Sequence, residues 1–375
     1  MYLLFFAFLG GLALLLYGMQ LMSDGMQKVA ENRLQRLFEV LAGRVMYGVL
    51  LGTVVAPVLQ SSGITTIMTV SMVNAGLMTL KQAFGIVMGA NLGTTVTAQL
   101  IAFKVTDFVT VFIALGFVLN ILAKGKKLKY SGQIMMGFGI MMLGMQMMGN
   151  SVAPLRKYQG FVDFIATFAD NPLIGLLAGT VMTCVVQSST ATIGILMAMA
   201  GQGLIPLEGA IPVMLGDNVG TCITSVLASL RANRAAKRVA YSHVLYNLIG
   251  SIIFIIFMGW FVDFVLYISP EGDIARQIAN SHTAFNLLST VIFLPITNQF
   301  VAFIELLVPG KDVVISRKPL FLDVNMLGTP SLAMQLATKE VVRMGNMAWH
   351  NIELALSAIE DRDSKKIEYI LEHEP

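Results

Sequence analysis

The sequence predicts an all-α polytopic membrane protein with two inverted-topology repeats, each with a re-entrant helical hairpin and a broken helix, plus short cytoplasmic helices. Three observations carry this. The composition suits lipid rather than water, with 56% of residues hydrophobic and only 13% charged, outside the balance of soluble domains. An unusual polar sequence occurs twice: Gln60-Ser61-Ser62-Gly63 returns as Gln187-Ser188-Ser189-Thr190, and Gly89-Ala90-Asn91-Leu92-Gly93-Thr94 as Gly216-Asp217-Asn218-Val219-Gly220-Thr221. The copies align without a gap at a shift of 127 positions, with roughly 21 of 56 residues matching from 48–103. Finally, basic clusters at Lys28–Arg44, Lys124–Lys129, Arg231–Arg238 and Lys311–Lys318 alternate with loops poor in bases or acidic, as a consistent series of crossings requires.

The elements follow in order. Residues 2–22 are too long for a signal h-region and lack a basic n-region, so they read as a span entering from an outside N-terminus. Residues 23–44 read as an amphipathic segment on the inner surface. Residues 45–76 hold two apolar arms of about 15 residues, broken at the first Gln-Ser-Ser. At about 1.5 Å per residue neither arm spans a core of about 30 Å, so a hairpin returning to its own side is the economical reading. Residues 82–103 then cross outward, interrupted at Asn91-Leu92-Gly93-Thr94, and helices at 108–123 and 131–149 go in and out. The second copy thus starts outside, with an amphipathic segment at 150–171, a hairpin at 172–203 and a broken crossing at 210–230 that ends at Arg231. Helices at 239–262 and 282–307 finish the membrane part. This gives a first membrane repeat at 1–130, a second at 131–310 and a cytoplasmic helical region at 311–375. In that last region 331–361 reads as an amphipathic helix and a further helix begins near Ser364.

Amide and hydroxyl side chains are costly at membrane depth unless they bind something, and a duplicated polar cluster there points to a ligand site at a repeat interface. The copies supply neutral oxygens and hydroxyl or amide donors. Broken helices add N–H groups that attract anions and carbonyls that attract cations. The mixture suits a small oxyanion together with a hard monovalent cation such as Na⁺, and lacks the converging His or Cys that Zn or Cu would need. The alternative is that these residues stitch helices together, which does not require the same Gln-Ser-Ser in both halves. Asp217 is the only carboxylate in either signature, standing where the first copy has Ala90. It reads as a coupling group, through cation binding or protonation, or as a solvated vestibule carboxylate. Ser242-His243 with Asn247 and Ser281-His282 with Asn286 place His and Asn on one helix face, as cross-helix hydrogen-bonding pairs or as proton-coupling groups. Cys184 and Cys222 have no metal spacing and read as packing residues. The small positive charge gives no argument for nucleic acid.

On these residues the chain resembles the type II Na⁺-coupled phosphate cotransporter family. That family carries a Gln-Ser-Ser-Ser motif in each of two inverted repeats, each followed by a Gly-x-Asn-Ile-Gly-Thr-like element, with a His-x-x-x-Asn helix afterwards. The likeness covers about 1–310, and the segment from Thr329 onward resembles the start of the PhoU-like helical domain of bacterial members. The resemblance implies a multi-pass protein of the inner or plasma membrane, with its C-terminus cytoplasmic, that moves inorganic phosphate with Na⁺ as the co-transported ion and uses no organic cofactor. It implies that Gln60, Ser61, Ser62, Gln187, Ser188 and Ser189 hold phosphate. Thr65, Asn91, Thr94, Thr95, Thr190, Thr192, Asn218 and Thr221 are then the sodium candidates, and Asp217, His243, Asn247, His282 and Asn286 the coupling candidates. The membrane and C-terminal helices are candidate surfaces for a homo-oligomer. Two departures stand out. Gly63 and Thr190 replace the third Ser, and the His-Asp pair that vertebrate members place after the first repeat has no counterpart around Phe108–Asn120. Sulfate or a carboxylate stays open as substrate, although a bulkier carboxylate would call for an Arg clamp. A membrane lipid phosphatase would need a base and cations beside the serines, which the clusters lack, so the chain reads as no enzyme.

Overall fold

The computed structural model describes residues 2–39, 45–74, 77–103, 108–230, 232–310 and 319–361. Among these every regular element is helical, and the chain divides into two units, Met1–Asp312 and Val313–Pro375. The basic run 311–318, Arg231 and the expected helix from Ser364 lie outside the described residues.

The first unit opens with α1 (Tyr2–Glu39). It is one continuous helix, where the sequence suggested a span ending at 22 and a separate surface segment. Ser23-Asp24-Gly25 does not break it because neighbours hold it on both sides of that point. Ser23 Oγ donates to the Leu59 carbonyl at 3.0 Å, and α6 (Lys126–Val152) packs so close that a Cβ on Gly18 would overlap the backbone of Gly137 and Met141. Between them come α2 (Val45–Leu59), α3 (Ser62–Asn74), α4 (Leu80–Ile101) and α5 (Val109–Leu122). α4 starts at a capping box in which Thr79 and Gln82 satisfy each other's backbone amides.

α7 (Gln159–Asp170), after a short 3-10 turn, leads into α8 (Pro172–Val186), bent by 108° at Asn171. Asn171 caps α8 and Pro172 occupies its first turn, which fixes where α8 begins. α9 (Ser189–Gly201), α10 (Leu207–Thr221), α11 (Ile223–Ser229), α12 (Arg234–Ile256), α13 (Met258–Tyr267), α14 (Ile274–Phe293) and α15 (Thr297–Leu307) complete the unit. The two late spans are therefore each divided, with α14 and α15 bent by 86°. Four helices among the described residues are long and apolar enough to cross a membrane: Tyr2–Ala30, Leu80–Ile101, Leu207–Ser229 and Arg234–Ile256.

α2 against α4 and α8 against α10 are packed in the same way. A Cβ on Gly89 would strike the Val49 carbonyl, and one on Gly216 the Leu176 carbonyl, which are equivalent pairs at the 127-residue shift. Thr53 Oγ1 donates to the Val49 carbonyl and Thr180 Oγ1 to that of Leu176, both at 2.8 Å. The outward faces match as well, with Leu50 and Val54 exposed on α2 and Leu177 and Val181 on α8, as lipid-facing positions should be. Buried aromatic clusters flank the polar centre. Phe84, Tyr246, Phe293 and Phe300 join α4, α12, α14 and α15, while Phe254, Phe261 and Phe285 join α12, α13 and α14.

One expectation fails clearly. α4 passes through Asn91-Leu92-Gly93-Thr94 without a break. Its polar groups are satisfied sideways and backwards instead. Thr94 Oγ1 donates to the Asn91 carbonyl and Thr95 Oγ1 to that of Leu92, each at 2.7 Å, so the backbone has no need to open. In the second copy a one-residue offset at Cys222 separates α10 from α11.

In the second unit a 3-10 turn at Val324–Gly328 precedes α16 (Pro330–Asp361). Met326, Leu332 and Leu336 are buried there, while Val341, Met344, Trp349 and Leu356 are exposed. Glu340 is buried and accepts from the amides of Leu320 and Phe321 and from Arg343.

Candidate functional site

The two Gln-Ser-Ser segments are the tips where α2 turns into α3 and α8 into α9. Each Gln takes the left-handed backbone conformation, φ 53° at Gln60 and 54° at Gln187, and these are the two positive-φ non-glycine residues among those described. A Gln there is strained by about 1–2 kcal/mol. Each turn then feeds straight into a capped helix. Ser61 Oγ accepts from the Ile64 amide at 3.1 Å, and Ser188 Oγ from the Ala191 amide at 3.2 Å. The caps leave the first amides of α3 and α9 directed past the tips.

Both tips line one cavity of about 60 Å³, room for a few waters or one small oxyanion. Gln60, Ser61, Ser62 and Gly63 come from the first tip, Gln187, Ser188, Ser189 and Thr190 from the second, and Thr221, Ile223 and Thr224 from the α10–α11 offset. No Lys, Arg, His, Asp or Glu is among them. The cavity is polar, hydroxyl-rich and without side-chain charge. Gly63 makes room for it, since a Cβ there would lie 2.8 Å from Thr224 Oγ1.

The side chains of the two tips are used differently. Gln60 is buried, donates from Nε2 to the Pro57 carbonyl at 2.8 Å, and accepts at Oε1 from Thr97 at 2.9 Å. Gln187 is exposed, and its side chain makes no hydrogen bond to the described residues.

Two buried Asn–His sets join α4 to α12 and α10 to α14. Asn91 Nδ2 on α4 donates to Asn247 Oδ1 on α12 at 2.8 Å, and Asn91 Oδ1 lies 3.1 Å from His243 Nε2. His243 Nδ1 meets Ser225 Oγ at 2.9 Å, and Asn247 Nδ2 reaches Cys222 Sγ at 3.2 Å. The equivalent set is Asn218 on α10 with Asn286 and His282 on α14. Asn286 Nδ2 donates to Asn218 Oδ1 at 3.2 Å, but Asn286 Oδ1 and His282 Nδ1 are buried without partners. The first set is closed and the second open.

The six residues expected to hold the anion all line the cavity, as do Thr190 and Thr221. Thr65, Asn91, Thr94, Thr95, Thr192 and Asn218 do not. The hydroxyls of Thr65, Thr94 and Thr95 are engaged on carbonyls of their own segment. Asp217 is fully buried rather than facing a vestibule, with Oδ1 accepting from Thr183 at 2.7 Å. Thr183 escaped the sequence reading. Its signal was available, because at the 127-residue shift it stands where the first copy has Ala56, as Asp217 stands for Ala90.

The sequence model of the Na⁺/Pi-cotransporter family matches twice, over residues 14–150 and 156–291. Among similar proteins, the uncharacterized protein YqeW of Bacillus subtilis is 32% identical over 256 residues, 68% of this chain and 83% of its own. The putative inorganic phosphate export protein YjbB of Salmonella typhimurium is 25% identical over 90% of this chain, which spans 62% of that relative's length. The sodium-dependent phosphate transport protein 2A of Rattus norvegicus is 38% identical over 60 residues, 16% of this chain and 9% of its own. No solved structure matches the chain. The chain belongs to the Na⁺/Pi-cotransporter family.

Proposed function

We propose that this multi-pass family member is a sodium-coupled transporter of inorganic phosphate, with the substrate held between the two Gln-Ser-Ser tips. The observation that carries the reading is the cavity itself, lined by two equivalent tips and, among the described residues, by no charged side chain. Two capped helices, α3 and α9, begin at its wall. Each helix N-terminus is worth about half a positive charge, so together they offer about one. A doubly charged phosphate is left under-compensated by about one unit, and a cation entering with it removes that deficit. On this account Na⁺ coupling follows from the absence of Lys and Arg at the site.

The hydroxyls and amides of Gln60, Ser61, Ser62, Gln187, Ser188 and Ser189 orient the anion. Thr190 and Thr221 line the same cavity and are the sodium candidates nearest to it, while Thr65, Asn91, Thr94, Thr95, Thr192 and Asn218 support the tips from behind. The Asn–His pairs hold α12 and α14 against the two signature helices. Hydrogen phosphate carries a proton that sulfate lacks, and Ser and Gln oxygens can accept it, which favours phosphate over sulfate.

The matching contacts of α2–α4 and α8–α10 support a fold of two repeats, and the basic-cluster pattern supports their inverted orientation with re-entrant hairpins. The repeats are taken as 1–130 and 131–310, with 311–375 a cytoplasmic region outside the transport path. Phosphate binding to the purified protein tests the site. Retention should rise when Na⁺ replaces choline and fall at least tenfold in Ser61→Ala and Ser188→Ala. Unchanged retention in both folded variants would return the tips to a structural role, and competition by sulfate as strong as by phosphate would reassign the substrate.

A further inference from the structure

The two copies differ at one tightly packed place. Where α2 passes α4 the first copy has Ala56 and Ala90, both fully buried; the equivalent positions between α8 and α10 hold Thr183 and Asp217, also fully buried. These two polar replacements touch each other, Thr183 Oγ1 donating to Asp217 Oδ1 at 2.7 Å. Thr192, equivalent to Thr65, lies 2.9 Å from Thr183 Oγ1 and also reaches the Ser188 carbonyl at 3.3 Å. The other carboxylate oxygen, Asp217 Oδ2, is buried with no hydrogen-bond partner.

The architecture has no need of this pair, since two alanines fill the equivalent place with equal burial. A carboxylate removed from water is costly unless an opposite charge meets it. No described residue supplies one. On the surrounding elements Cys184 (α8), Cys222 (after α10), His243 (α12) and His282 (α14) are the nearby titratable groups, and none hydrogen-bonds to Asp217. What the carboxylate does have beside it is hard oxygen, the hydroxyl of Thr183, which in turn touches the hydroxyl of Thr192. A single carboxylate with hydroxyls balances one positive charge. Among the described residues no three His, Cys, Asp or Glu side chains gather as a divalent metal would want.

The geometry points to a monovalent cation site, with Na⁺ as its occupant, formed by Asp217, Thr183 and Thr192 in the second repeat alone. It deepens the proposed function and rests on that reading for its role. Thr192 Oγ1 lies 2.9 Å from Thr183 Oγ1 and 3.3 Å from the Ser188 carbonyl, so the cation would sit two hydroxyls from the second tip, and the proton that Thr192 shares between these acceptors would bias that tip's geometry. The first repeat, with its alanine pair, has no such site.

The test is binding of radiolabelled Na⁺ to the purified full chain, with choline replacing Na⁺ at constant ionic strength. Asp217→Asn should bind one Na⁺ fewer per chain than the wild type, and Thr183→Val should weaken one site about tenfold. The double variant Thr183→Ala/Asp217→Ala rebuilds the alanine pair of the first copy. It should fold even if Asp217→Asn does not, and should again lack one Na⁺. The same number of Na⁺ bound with the same affinity in a folded variant overturns the assignment. Phosphate binding by the wild type, measured in parallel, separates the two failures. Without it the transporter reading falls; with it and an unchanged Na⁺ count, only the Asp217 site falls.

Discussion

Replacing each tip glutamine by alanine separates fold from function. Gln60→Ala removes the acceptor for Thr97 Oγ1 and the donor to the Pro57 carbonyl. Thr97 is only 1% exposed, so its hydroxyl is left without a partner and without water, at a cost of about 1–3 kcal/mol. Gln187→Ala strips an exposed side chain with no hydrogen bond to the described residues, and such changes stay within about 0.5 kcal/mol. Both variants lose an amide from the cavity wall, so both should bind phosphate more weakly. Thermal melts in detergent read the first quantity and phosphate binding the second. The expected pattern is a clearly lower melting temperature for Gln60→Ala only, with weakened binding in both. Equal destabilisation of the two variants would refute the asymmetry, and normal binding by Gln187→Ala would remove that side chain from the substrate.

Other outcomes follow from single contacts. Gly216→Ala and Gly89→Ala each drive a methyl into a carbonyl of the facing helix, and should lower stability by about 1–3 kcal/mol or more; melts at the wild-type temperature would deny the close packing of α8 with α10 and α2 with α4. Gly63→Ser, which restores the family's third serine, must displace Thr224 and shrink the cavity, so phosphate affinity should fall although a hydroxyl is gained; tighter binding would show that the space is not limiting. In the second unit burial opposes ionisation of Glu340, but Arg343 and the amides of Phe321 and Leu320 outweigh it and hold the carboxyl below its ordinary value. A carboxyl lowered in the folded state adds stability above its unfolded value, near about 4.3, and that stability is lost as pH falls through the folded value. The protection of the Leu320 and Phe321 amides, taken relative to the intrinsic exchange rate at each pH, should therefore fall on acidification, and in Glu340→Gln already at neutral pH; protection in that variant matching the wild type would break the assignment.

The helix breaks at the two Gln-Ser-Ser segments were legible because these polar turns interrupt short apolar arms, and the breaks appear at Leu59–Ser62 and Val186–Ser189. The uninterrupted α4 was not, because Asn91 and Gly93 read locally as a break. What keeps the helix whole is Asn247 and His243, more than 150 positions away, and Gly93 serves close packing on Thr53 and Pro57 rather than a turn. The length of α1 was hidden for the same reason, since Ser23 is satisfied by Leu59 and Gly25 by contact with Ile134. At the site the repeated tips announced themselves, whereas Thr183 carries no motif and gains meaning only from the carboxylate it touches.

The central claim is tested most directly by radiolabelled phosphate flux in proteoliposomes containing the full chain, with and without a Na⁺ gradient at fixed membrane potential. Phosphate should accumulate on the side toward which Na⁺ flows, choline in place of Na⁺ should abolish the accumulation, and Ser61→Ala or Ser188→Ala should reduce it to the level of empty liposomes. Phosphate flux of equal size in choline, or none from folded wild-type protein under either gradient, would contradict it.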